Sequence, residues 1–176
     1  MYAFLVPLVI AIALDLLSLG RLDAVANTSM NVLGLRIVSV SPSGTVAVEV
    51  ENTSKETIRM WRESNSWGAA RWRILVLRKG SVEVFFQNPD QRFTRNIPVP
   101  DEIAAGARVQ HLLDLNAGNW CGFGHCSAHD QRGIGGQTVA FGREDSVIVV
   151  YDVPRTEEAV HQRVWYGAVA ALTTVK

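Results

Sequence analysis

Beyond its N-terminal stretch, the chain is dominated by the alternation of apolar and polar side chains. In TVAVEVE, residues 45 to 51, Val46, Val48 and Val50 fall on one face of an extended strand, and Thr45, Ala47, Glu49 and Glu51 on the other. LRIVSV (35 to 40) precedes it, with Pro42, Ser43 and Gly44 as the turn between the two, and NTSKE (52 to 56) is a second turn. RWRILVLR (71 to 78) and SVEVFFQ (81 to 87) flank Lys79-Gly80, the signature of a hairpin. ARVQHLLDL (107 to 115), SVIVVYDV (146 to 153) and VWYGAVAALTTV (164 to 175) complete seven strands, and residues 57 to 61 and 92 to 97 are two further short candidates. TEEAVHQRV, 156 to 164, predicts a short connector helix, with Thr156 as its cap and Glu157 and Glu158 in its first turn. Short strands separated by turns predict an all-β antiparallel sandwich of about 7–9 strands rather than alternating βαβ units.

The N-terminus departs from this pattern. YAFLVPLVIAIAL, residues 2 to 14, is uncharged and mostly apolar. It matches the ~7–15-residue core of a secretory signal and falls short of the ~20 residues that span a bilayer. Ala24 and Ala26 form a small-x-small pattern, which predicts cleavage after Ala26. The expected organisation is therefore a signal peptide over 1–26 and one β domain over 27–176, secreted or periplasmic. The alternative is a membrane anchor through residues 2–19, since Asp15 alone interrupts the run. At 176 residues the chain is long enough for one well-buried core.

The succession VAVEVENTSKETIRM, WRILVLRKGSVEV and VPDEIAAGARVQHLL resembles immunoglobulin-like domains, and in particular the small bacterial proteinase-inhibitor type. Asn52 to Lys55 and Gly106 stand where that type carries its Asn-x-Ser turn and a glycine-ended loop. The resemblance covers roughly residues 35 to 116 and implies a sandwich fold. It carries over no inhibitory residue.

Composition changes the picture only by exclusion. Lys plus Arg and Asp plus Glu number 17 each, so the net charge is zero. The basic excess of a nucleic-acid binder is missing, and no nucleic acid is expected as a partner. Adjacent carboxylates such as Asp101 with Glu102 point to opposite faces of an extended chain and do not form an acid–base pair.

Candidate chemistry is concentrated in the long segment 116–145, where GNWCGFGHCSAHDQRGIGGQ holds both cysteines of the chain. Cys121 and Cys126 are spaced for a disulfide in an oxidising compartment. The alternative is a metal site of Cys121, His125, Cys126 and His129, whose two sulfurs and two imidazoles suit zinc. Its four ligands fall within nine residues, whereas zinc sites ordinarily join two spaced pairs. A cysteine nucleophile would need a base that the fold, not the neighbouring sequence, supplies. MWRESNSWGAARWR, 60 to 73, interleaves tryptophans with arginines. Trp72 shares a strand face with Ile74 and Val76 and reads as core, while Trp61, Trp67 and Trp120 are candidate ligand-binding residues. His111 lies between Val109 and Leu113 on one strand face, the position of a hydrogen-bonded core histidine. Asn27 and Asn52 open N-x-Ser/Thr triplets.

These features predict an exported, non-enzymatic protein without a cofactor that binds a protein partner, a protease among the candidates, through the Trp61–Trp67 segment and the 118–137 loop. The alternatives are a small Cys/His metal-binding or enzymatic module and carbohydrate binding through exposed tryptophans. A membrane is involved only if the N-terminal segment stays uncleaved.

Overall fold

The computed structural model describes residues 32–88, 97–117, 119–122, 125–126, 134 and 137–176. Eleven strands occur among them: β1 Leu33–Ser41, β2 Thr45–Asn52, β3 Ile58–Trp61, β4 Trp72–Arg78, β5 Ser81–Gln87, β6 Pro100–Ile103, β7 Arg108–Asp114, β8 Trp120–Gly122, β9 His125–Cys126, β10 Ser146–Val153 and β11 Gly167–Thr174. One short helix, α1 Glu157–His161, connects the last two strands. Three sheets result, with strand orders β1-β2-β7, β11-β10-β4-β5-β8-β9 and β3-β6, and every strand pairing is antiparallel. The leader, residues 1–31, lies outside the described residues, as do residues 92–96 of the second short candidate. Among the described residues no helix is long and apolar enough to cross a membrane.

Period-two patterning explains which faces meet. Val46, Val48 and Val50 of β2 are fully buried, as are Trp72, Ile74 and Val76 of β4 and Val147 and Val149 of β10. Together with Phe85, Leu113 and Leu115 they belong to one core shared by the sheets. Burying each such valine, leucine or isoleucine contributes about 1.5–3 kcal/mol. The turn between β1 and β2 closes on Gly44, whose φ of +86° and close approach to the Val139 carbonyl leave no room for a side chain. The turn after β2 is pinned by Asn52, which is fully buried. Its Nδ2 donates to the carbonyls of Glu56 (2.7 Å) and Ile103 (2.9 Å), and its Oδ1 accepts from Ser54 N and Oγ.

The connector helix is as expected: Thr156 caps it, with Oγ1 accepting from Ala159 N at 3.1 Å. Two stretches hold strands that the alternation did not predict. Pro100–Ile103 is a strand because Asp101 and Glu102 pair across to Met60 and Arg59 of β3 while Ile103 enters the core. The segment 116–145 is not wholly irregular either. β8 and β9 extend the six-stranded sheet, and Trp120 and Ile134, each 1 % exposed, anchor the segment in the core.

Candidate functional site

The segment linking β3 to β4 is organised by a second buried asparagine. Asn65 Oδ1 accepts from the backbone N–H of Trp67 (3.0 Å) and Gly68 (2.9 Å), and Nδ2 donates to the Val99 carbonyl at 3.2 Å. Gly68 lies against the same turn: a Cβ there would stand 2.2 Å from the Arg62 carbonyl oxygen. The base of the segment is tied to the β3–β6 ribbon by two ion pairs, Arg62 to Asp101 at 2.6 Å and Arg59 to Glu102 at 2.8 Å.

This scaffold presents Glu63 to two residues from other strands. Glu63 Oε1 accepts from Trp72 Nε1 on β4 at 2.5 Å and lies 2.9 Å from His111 Nδ1 on β7. The imidazole in turn lies against Trp72, ring centroids 5.2 Å apart, and Trp72 against Tyr151 at 4.5 Å. Burial pushes the Glu63 carboxyl up, but the hydrogen bond and charge of His111 and the Trp72 N–H outweigh it and hold the group below the usual carboxylate range. The Tyr151 phenol is pushed up, first by its burial and then by the Glu63 charge. A cleft of about 270 Å³ opens beside the cluster, bounded by Met60, Trp61, Arg62, His111 and Tyr151 among others.

A carboxylate that fixes one imidazole nitrogen leaves the other to act as a base or ligand. Here His111 Nε2 is buried and has no hydrogen-bond partner among the described residues. A substrate proton or an ion reaches it only if the surrounding side chains move. As it stands, the cluster joins three elements through one carboxylate, which is a structural task. Sequence patterning placed His111 at a core position in need of a partner; it gave no sign that Glu63 is that partner, because the two meet only through the fold.

The other predicted residues fall in different places. Trp61 and Trp120 are 3 % and 1 % exposed, so neither offers an open ring to a ligand, which counts against the alternative of carbohydrate binding through exposed tryptophans. Trp61 is covered because it ends β3 beside Met60, with both consecutive side chains packed into the core. Trp67 is half-buried and tilted against Trp61, centroids 6.1 Å apart. Cys121 is buried, and the β8–β9 register sets it directly opposite Cys126, with Gly122 opposite His125. His129 lies outside the described residues, and nothing is described of the side chains of His125 and Cys126. No group of three or more His, Cys, Asp or Glu residues suited to a metal occurs among the described residues.

Comparison with protein-family models, with curated proteins and with solved structures finds no match for this chain.

Proposed function

We propose that the protein is an exported, non-enzymatic binding protein on an immunoglobulin-like sandwich, taking a protein partner on the outer face of its six-stranded sheet. One observation carries this reading. The register aligns Leu172, Ile148, Leu75 and Val84 in one row across β11, β10, β4 and β5. The rows beside it are Ala170, Val150, Arg73, Phe86 and Thr174, Ser146, Leu77, Val82. Leu172 is 66 % exposed, Val82 50 %, Phe86 39 % and Val84 37 %. Leu75 and Val150 between them are buried, so the exposed apolar surface falls in two parts, Leu172 on β11 and the Val82, Val84 and Phe86 stripe on β5. A stripe of that kind marks interaction surfaces more often than isolated surface apolar residues do. With Trp61 and Trp120 buried, this face replaces the tryptophan segment as the contact surface. A protease remains the partner class that the family resemblance suggests.

Export and a Cys121–Cys126 bridge belong to the same proposal. Directly opposed residues of an antiparallel pair have α-carbons about 4.5–5.5 Å apart, within the range of a disulfide. No free cysteine is found among the described residues.

Two measurements test the reading. The intact mass of protein made in a secreting host is expected to begin at Asn27 and to lie two hydrogens below the reduced formula. A chain starting at Met1 with free thiols, or one retaining zinc, overturns both export and bridge. For the surface, partner capture from the cell envelope is expected to be lost in Val84→Lys and Leu172→Glu and kept in Gln110→Lys on the other sheet. Equal capture by all three removes the sheet face from the proposal.

A further inference from the structure

Where α1 packs beside β3, a second cleft of about 290 Å³ is lined by Ile58, Arg59, Val160, Arg163, Val164 and Trp165 among others. Three features of its wall are unusual together. Trp165 is only 7 % exposed, yet its Nε1 is buried with no hydrogen-bond partner among the described residues. Buried indole N–H groups ordinarily find an acceptor, so the orphan donor marks a place where one is missing, and like His111 Nε2 it is reached from the cleft only when the side chains over it move. The second feature is Arg163. The helix ends in a Schellman turn, with Val164 N donating to the Ala159 carbonyl (2.8 Å) and Arg163 N to the Val160 carbonyl (3.2 Å). Arg163 holds the left-handed position of that turn at φ +56°, where glycine is the usual and unstrained choice. A glycine would close the turn equally well; the arginine adds a guanidinium at the cleft, exposed and without an ion pair among the described residues. Arg59, by contrast, is committed to Glu102. The third feature is the apolar side of the cleft, formed by Ile58, Val160 and Val164, with Val160 47 % exposed.

We infer that this cleft binds a small organic carboxylate, its oxygens accepting from Trp165 Nε1 and the Arg163 guanidinium and its apolar body lying on Ile58, Val160 and Val164. A planar guanidinium and a single indole donor fit the two oxygens of a carboxylate. A cleft of this size holds a ligand of several carbons and no more. The site shares no residue with the outer sheet face, so either can fail without the other.

Hexanoate titrated into the purified chain, followed by the indole N–H cross-peaks of a 15N-labelled sample, tests the site. Trp165→Phe identifies the Trp165 peak while keeping the ring. That peak is expected to move downfield and to saturate with a dissociation constant on the order of 1 mM. Arg163→Asn, which tolerates the left-handed backbone, is expected to weaken binding about tenfold, and Trp165→Phe by a similar factor measured calorimetrically. Leu172→Glu on the sheet face is expected to leave the titration unchanged. A Trp165 peak that stays in place, an equal response to hexanol, or an Arg163→Asn protein that binds as well as the parent overturns the inference.

Discussion

The two clefts of this molecule are built around the same aromatic core and treat their indole N–H groups in opposite ways. Trp72, Tyr151 and Trp165 follow one another through the interior, with centroid separations of 4.5 and 6.1 Å. At the Trp72 end, the indole N–H has an acceptor in Glu63, which also takes the His111 Nδ1 contact. At the Trp165 end the indole N–H has none among the described residues, and Arg163, without an ion pair among them, lines the same cleft. Paired groups hold elements together and contribute to stability. A group left unpaired carries a desolvation cost that folding does not recover, which makes it useful only if something outside the chain supplies the partner. The contrast lies between the two indoles, since His111 Nε2 beside the first cleft is also buried without a partner among the described residues.

The largest disturbance of the paired cleft is expected from Gly68→Ala. Its new methyl meets the Arg62 carbonyl, so the turn that carries Glu63 must shift, at a cost of about 3 kcal/mol in urea unfolding. Glu63→Ala follows at about 2 kcal/mol, since it strands the buried Trp72 N–H; the figure is moderated because the carboxylate side chain is 40 % exposed and water partly replaces it. The same residue gives a pH signature. Its folded value is depressed, so its contribution is present above the ordinary value of 4.5 and is lost as pH falls through the lower, folded one. Glu63→Gln should flatten the acid limb of a stability–pH curve at pH 4 and below. The smallest effect sharpens the comparison most. Trp72→Phe should cost about 2 kcal/mol, whereas Trp165→Phe, which removes only an orphan donor and a little volume, should stay within about 1 kcal/mol of the parent in the same unfolding assay. Equal losses at both tryptophans would erase the distinction between the clefts.

How much of this was legible beforehand depends on the range of the interaction. The faces of β2, β4 and β10 follow from alternation, because the neighbours that decide burial are two residues away. β6 was hidden since Pro-Asp-Glu is turn-like in composition and only Ile103 of the four residues is buried. β8 and β9, of three and two residues, are too short to show any period. Trp61 was misplaced for a related reason: Met60 and Trp61 are buried in succession, which breaks alternation and imitates a loop. The Glu63–His111 contact and the Arg163–Trp165 cleft depend on tertiary placement. The nearest available signals were a histidine in an apolar strand face and a helix end without its glycine.

Asn52 has a consequence for any host that attaches glycans to N-x-Ser/Thr. The triplet Asn52-Thr53-Ser54 satisfies the pattern. Yet the carboxamide nitrogen that would carry the sugar is buried and donates to the carbonyls of Glu56 and Ile103. A glycan there is incompatible with the closed turn, so a chain modified at Asn52 is one that was caught before this turn formed. Occupancy at that position, measured by mass, would therefore count folding failures during secretion, with each sugar recording a chain that arrived at the transferase too early or folded too late.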